Sequence, residues 1–167
     1  MHIEEARKFA HEQLSKYNLT GWKFSFNRSL TYAGICYGSP ANEIRISKPI
    51  CEVESAEFIK DTILHEIAHA IVGTHHMHDI VWQECAKRIG CSPDATYEES
   101  EAIIKAKLAK TKYVMCFGDK IVKLYLRKPN QKTFSTIKNY WVKGDKEQSQ
   151  GKLKLVAYNP SVHLEFA

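Results

Sequence analysis

The motif His65-Glu66-Ile67-Ala68-His69 combines side chains whose types and spacing suit metal-assisted hydrolysis. Histidines four residues apart on a helix project from one face, where both imidazoles can reach one Zn²⁺ at about 2.0 to 2.1 Å. Glu66 then lies beside the metal, where its carboxylate can take a proton from the attacking water. The motif therefore predicts a zinc hydrolase in which Glu66 is the general base.

The residues around the motif predict the helix that this chemistry needs. Isoleucine recurs at every fourth position, at Ile59, Ile63, Ile67 and Ile71. This spacing predicts a well-buried helix over Glu57–Val72. Gly73 follows as a C-cap and frees the chain to turn. A third ligand can therefore return to the metal from outside the helix.

Three histidines beyond the helix compete to be the third ligand: His75, His76 and His78. His75 has the spacing of the metzincin pattern HExxHxxGxxH, but the glycine of that pattern is replaced by Val72. Asp79 is a good N-cap for a second amphipathic helix, which would place His78 at the helix entry, facing the metal. We therefore expect His78 to be the ligand and keep His75 and His76 as alternatives. Three protein ligands and an open fourth position are typical of catalytic zinc, whereas structural zinc takes four.

The motif is part of a longer pattern, in which a third histidine precedes an aromatic residue by four and a helix then ends in an Ile-Gly pair. Its members are His65, Glu66, His69, His78, Trp82, Ile89 and Gly90. With this pattern the chain resembles the SprT/Spartan-like zinc metallopeptidases. Three upstream segments resemble the three short strands that precede the active-site helix in that family: Gly21–Phe26, Gly34–Tyr37 and Ile44–Ser47.

The resemblance implies an α+β fold with a zincin-like metallopeptidase core, made of helices and a small three-stranded sheet, over residues 1–110. It also implies a zinc-dependent endopeptidase that binds one Zn²⁺ through His65, His69 and His78 and uses Glu66 as its catalytic residue. The better-understood members cleave proteins attached to DNA, so a protein substrate and DNA are the implied partners. Many members carry a C-terminal zinc ribbon with paired cysteines. Only Cys116 occupies the corresponding segment here and no CxxC occurs, so a second zinc is not expected.

Charged residues are distributed unevenly along the chain. Residues 1–104 contain 10 Lys and Arg against 15 Asp and Glu, a net charge of −5, whereas residues 105–167 contain 14 against 4, a net charge of +10. Aromatic residues are interleaved with these basic ones: Tyr113, Tyr125, Phe134, Tyr140 and Trp141. Such a mixture can track a phosphate backbone and stack unpaired bases, although alternating lysines are also typical of a half-exposed strand. We expect residues 111–167 to form a small basic β-rich element that binds DNA, with single strands preferred.

The remaining elements follow from local patterns. An amphipathic first helix is predicted over Met1–Tyr17, and a helix over Tyr97–Lys110 begins at the capping box Thr96-Tyr97-Glu98-Glu99. Three strands are predicted after residue 111: Tyr113–Phe117, Ile121–Leu126 and Leu153–Tyr158. Gly118-Asp119 would join the first two in a tight hairpin.

Cysteine usage and the N-terminal segment bear on the compartment. The chain contains five cysteines, an odd number with no paired spacing, which favours reduced thiols over a disulfide framework. The N-terminal segment lacks the uninterrupted apolar core of a secretion signal, and no membrane span is visible. These patterns predict a cytoplasmic protein.

Two other functions remain open from the sequence. One is a nucleic-acid-binding module whose metal site is vestigial. The other is a zinc peptidase that acts on a dedicated regulatory substrate without any nucleic acid. Substitution of Glu66 separates the first from a peptidase, and binding of single-stranded DNA at low salt separates the second.

Overall fold

The computed structural model of the chain describes residues 1–162 and the strand Glu165–Phe166. The chain divides into two compact units, Met1–Ala106 and Lys107–Ala167. The fold class is α+β, as predicted. The elements of the first unit are α1 (Ile3–Lys16), β1 (Lys23–Asn27), β2 (Gly34–Tyr37), β3 (Glu43–Ser47), α2 (Lys48–Cys51), α3 (Ala56–Val72) and α4 (Ile80–Ile89). Helix α5 (Glu101–Lys110) spans the boundary between the two units.

The first unit contains the predicted three-stranded sheet, in the order β1-β3-β2. Strand β1 is parallel to β3, with Phe24 opposite Ile44, and β2 is antiparallel to β3, with Gly34 opposite Ile46. Ile44 and Ile46 are fully buried, because alternate residues of the central strand face the core. Strand β2 is left at an edge of the sheet.

Helix α3 provides the centre of the core. Its stripe of Ile59, Ile63 and Ile67 is fully buried, as the spacing of four residues predicted. The side chain of Ser55 accepts a hydrogen bond from the Phe58 backbone N–H and caps the N-terminus. Gly73 ends the helix with a φ of 93°, a conformation that favours glycine. Both helix ends are therefore determined by local side-chain chemistry.

The prediction for α5 was wrong at its N-terminus. The helix begins at Glu101 instead of Tyr97, and residues 92–100 form no regular element. The hydroxyl of Ser100 accepts a hydrogen bond from the Ile103 backbone N–H at 3.2 Å, so Ser100 occupies the capping position. The Tyr97 ring packs edge-on against Phe58, at 4.8 Å between ring centroids. Tyr97 therefore lies in a tertiary contact before the helix instead of in its first turn.

The second unit is built on a sheet in the order β6-β4-β5-β7. Its strands are β4 (Tyr113–Phe117), β5 (Lys120–Tyr125), β6 (Lys154–Ala157) and β7 (Glu165–Phe166). Strands β5 and β6 are antiparallel to β4, and Val114, Cys116 and Ile121 form a buried cluster between them. Two short helices that the sequence patterns did not predict, α6 (Gln131–Thr136) and α7 (Lys146–Ser149), lie between β5 and β6.

Two further observations concern the sequence predictions. All five cysteines are free thiols, as their number and spacing predicted. Within the part of the chain that the structure describes, no helix combines the length and apolarity that a membrane crossing requires.

Candidate metal centre

Three histidines converge at the C-terminal half of α3. The Nε2 atom of His78 lies 3.0 Å from His65 Nε2 and 3.2 Å from His69 Nε2. One ligand atom from each histidine lies within 4.8 Å of the other two. The structure thus brings together the two histidines of the motif and the expected third one. This cluster could hold a metal ion.

The chain returns to α3 through a short and well-defined turn. After Gly73, a 3-10 turn over Thr74–His76 leads to Met77, which adopts a φ of 48°. Asp79 then caps α4, because its carboxylate accepts hydrogen bonds from the backbone N–H groups of the second and third residues after it, at 3.0 and 3.1 Å. The Gln83 side chain donates to the His78 carbonyl at 3.0 Å. Hydrogen bonds to the Asp79 carboxylate and from the Gln83 side chain therefore fix the backbone around His78.

The spacing and charge of the three imidazoles suit zinc. A tetrahedral ion with Zn–N bonds of about 2.0 to 2.1 Å holds its ligand nitrogens about 3.3 Å apart, close to the 3.0 and 3.2 Å observed. Burial lowers the pKa of His65 and of His69 to about 4, and it lowers the pKa of His78 as well. At neutral pH the rings are uncharged and present lone pairs. The donor set therefore fits a zinc ion.

Glu66 lies next to the cluster with almost no solvent contact. Only 6% of Glu66 is exposed to solvent. Burial raises the pKa of its carboxyl group to about 8. A cation bound by the three histidines would oppose this shift, since a nearby positive charge favours the carboxylate. A carboxylate in this position could take up a proton from water at a metal held by the histidines.

Gly34 in β2 provides the space that the Glu66 carboxyl group occupies. A Cβ atom added at Gly34 would lie 2.6 Å from Glu66 Oε1 and 2.8 Å from its Cγ. Sequence reasoning did not identify this residue. The available signal was a glycine inside a strand, which often marks close approach by another group.

Trp82 forms the floor beneath the histidines. It is fully buried, and its ring centroid lies 4.6 Å from that of His65, 5.2 Å from His69 and 4.6 Å from His78. Its ring packs against all three imidazoles. Trp82 therefore limits how far each imidazole can turn.

The two alternative ligands lie outside the cluster. His76 Nδ1 is 2.9 Å from the carboxylate of Asp79, and the ring of His75 packs against that of His76 at 4.3 Å. Among the described residues, only His65, His69 and His78 form a group that could hold a metal. The geometry thus distinguishes His78 from its neighbours.

A cavity of about 800 Å³ opens in front of the cluster. Strand β2 and the residues before it line one side, and the exposed face of α3 lines another. The irregular segment 92–99 contributes a third wall, which sequence reasoning missed because it assigned part of this segment to a helix. The cavity is large enough for several residues of an extended peptide.

The sequence of the chain matches a known protein family. Residues 3–103, more than half of the chain, match the SprT-like family. The chain therefore belongs to the SprT-like family. No curated protein matches it. Family membership and the three-histidine cluster together indicate a metallopeptidase.

Proposed function

We propose that this protein is a zinc-dependent endopeptidase that acts on proteins associated with DNA. The observation that carries the proposal is the convergence of three imidazole nitrogens beside one buried carboxylate, Glu66. His65, His69 and His78 would hold one Zn²⁺, and Glu66 would be the catalytic base. Three protein ligands leave one position open, which is the arrangement of catalytic zinc.

The residues of the site would have separate roles in the reaction. A bound zinc ion supplies Lewis acidity, which polarises the substrate carbonyl and makes water more acidic. Glu66 would take the proton of the attacking water and return it to the leaving amine, because its carboxyl group follows His65 directly on α3 and lines the same cavity as the three histidines. Trp82 keeps the imidazoles in their orientation. Gly34 keeps the Glu66 carboxyl group close to the site.

Recruitment to DNA is the second part of the proposal, and the second unit supports it. Residues 107–167, which form this unit, contain 13 Lys and Arg against 4 Asp and Glu, a net charge of +9. Tyr140 is 43% exposed and Trp141 is 45% exposed. Lys146 lies over the Trp141 ring at 4.6 Å, and Lys123 lies over Tyr125 at 5.5 Å. Exposed rings such as Tyr140 and Trp141 can stack unpaired bases, and lysines beside the rings can neutralise phosphates, which favours single-stranded DNA.

The test is cleavage of a basic DNA-binding protein by zinc-loaded wild type and Glu66→Gln, each with and without single-stranded DNA. We expect DNA to stimulate cleavage by the wild type, and Glu66→Gln to bind zinc and DNA normally but to cleave nothing. Cleavage that is indifferent to DNA would refute recruitment and favour a peptidase with a dedicated substrate. DNA binding without any cleavage would favour a binding module with a vestigial metal site.

The aromatic groups allow a sharper test of DNA binding. Trp141→Ala removes an exposed ring, and a stacked base is worth about 1 to 3 kcal/mol, so we expect the Kd for single-stranded DNA to rise at least about fivefold. Tyr97→Ala removes a ring of similar exposure in the first unit and serves as the control. An unchanged Kd in Trp141→Ala would exclude this ring from the binding surface.

A further inference from the structure

Exposed apolar side chains are concentrated around the third histidine of the cluster. Met77 is 69% exposed and Ile80 is 63% exposed, the two highest values among the large apolar residues that the structure describes. Val81 is 41% exposed. Exposed apolar residues that are scattered singly are ordinary, whereas a local concentration of them is typical of a binding surface. We call Met77, Ile80 and Val81 the apolar rim.

The two helical members of the apolar rim lie away from the core. The buried face of α4 consists of Trp82, Cys85, Ala86 and Ile89. Successive residues of a helix are about 100° apart around its axis, so Ile80 lies about 200° from Trp82, on the opposite face. Val81 lies about 100° from Trp82, at the flank of the helix. Packing of the core therefore does not account for the apolar side chains at these two positions.

Met77 has a backbone conformation that is costly for its residue type. Its φ is 48° and its ψ is −113°, a region that glycine adopts readily and that bulky residues rarely adopt. Residues in such conformations cluster at active sites and ligand sites, where the surrounding structure holds them. Glycine would remove the strain at this position, but it would present no side chain. The strain therefore indicates that the side chain of Met77 has a function.

The apolar rim is continuous with the cavity in front of the histidines. Met77 lines this cavity and directly precedes His78, so their Cα atoms are about 3.8 Å apart. Ile80 and Val81 are not among the described residues that line the cavity, so they continue the apolar rim outside it. An extended peptide advances about 3.3 Å per residue. A peptide whose carbonyl lies at the three imidazoles would therefore place the side chain of a neighbouring residue near Met77.

We propose that Met77 is a specificity-determining residue, which binds an apolar side chain of the substrate one or two residues from the scissile bond. The inference rests on the proposed function and specifies one position of its substrate, where an aliphatic or aromatic side chain is preferred. The unbranched, polarisable side chain of methionine adapts to apolar partners of different shape. Ile80 and Val81 would contact the substrate where it leaves the cavity.

The experiment measures peptide binding apart from cleavage. Zinc-loaded Glu66→Gln is titrated into fluorescent peptides in which one leucine is moved along a polar sequence or replaced by serine. Wild-type kcat/KM is then measured for the same peptides. Met77→Gln, made in each background, keeps the length of the side chain but removes its apolar end, and Met77→Leu retains an apolar side chain. Val53→Ser removes an exposed apolar side chain that does not line the cavity and is the matched control.

We expect the best leucine peptide to bind about tenfold more tightly than its serine counterpart, the lower end of what apolar contacts in a substrate pocket give. The preference should fall to about twofold in Met77→Gln and should persist in Met77→Leu and Val53→Ser. Zinc affinity, measured with a chelating dye, should be the same in every variant, since no ligand is removed. The urea midpoint should not fall in Met77→Gly, because glycine adopts this backbone conformation without strain.

Equal binding of leucine and serine peptides by Glu66→Gln, or a leucine preference that survives in Met77→Gln, would overturn the role of Met77. A wild type that is dimeric in light scattering and becomes monomeric in Met77→Gln would show an interface between two copies and would also overturn it. If the wild type still cleaved both peptides, the proposed peptidase would stand. A leucine preference in binding without cleavage by the wild type would support the subsite and refute the peptidase.

Discussion

Substitution of Gly34 by alanine tests whether the position of the Glu66 carboxyl group decides activity. The added Cβ would lie 2.6 Å from Glu66 Oε1, whereas ordinary contact begins at 3.4 Å. The carboxyl group must therefore move by about 0.8 Å, because the backbone of β2 is held by its ladder with β3. A misplacement of about 1 Å at a reacting group can lower the rate about a hundredfold.

We expect kcat/KM for an unstructured fluorogenic peptide to fall about a hundredfold in Gly34→Ala, which corresponds to about 2.7 kcal/mol of transition-state stabilisation. Overpacking should lower the free energy of unfolding by about 1 to 3 kcal/mol. Zinc affinity should change little, since the added methyl group meets Glu66 and none of the three histidines.

Gly38→Ala is the matched control for this substitution. Its added Cβ meets the Thr74 hydroxyl at 3.1 Å, away from Glu66. Activity close to wild type is expected. Full activity in Gly34→Ala, or a loss of activity that came only from lost zinc, would show that the position of the Glu66 carboxyl group does not decide activity.

Three further predictions follow from the site. His78→Ala should weaken zinc binding at least about a hundredfold, since one of three ligands is lost. His75→Ala should leave zinc binding unchanged, and titration against a chelating dye measures the affinity of each variant. Asp79→Ala should lower the free energy of unfolding in urea by about 1 kcal/mol, and an unchanged midpoint would contradict the cap. Burial, followed by repulsion from Glu66, raises the pKa of Cys36 to about 12. Its alkylation at pH 8 should therefore be on the order of a thousandfold slower than that of an ordinary cysteine, and mass spectrometry over a pH series measures this.

The parts of the site that the sequence predicted depend on contacts between near neighbours in the chain. The ligand helix follows from the isoleucine spacing, and its end follows from Gly73. Asp79 caps the next helix through backbone groups two and three residues away, which places His78 at the turn. Local chemistry of this kind leaves its pattern in a single sequence.

The parts that escaped prediction depend on contacts distant in the chain. The space for Glu66 comes from Gly34, which lies in an edge strand, and only the packing of β2 near α3 brings the two together. Helix α5 begins later than predicted. A local capping box favoured an earlier start, but Tyr97 packs on Phe58 instead. Tertiary packing can override such a local preference.

The dependence of cleavage on zinc equivalents shows whether the three histidines hold a single catalytic zinc. Metal-free wild type and Glu66→Gln are titrated with Zn²⁺ while cleavage of an unstructured protein substrate is recorded. We expect wild-type activity to rise to saturation at about one equivalent per chain, as a single three-histidine site requires. We expect Glu66→Gln to bind the same equivalent without activity. Wild-type cleavage without zinc, or equal cleavage by Glu66→Gln, would contradict this expectation.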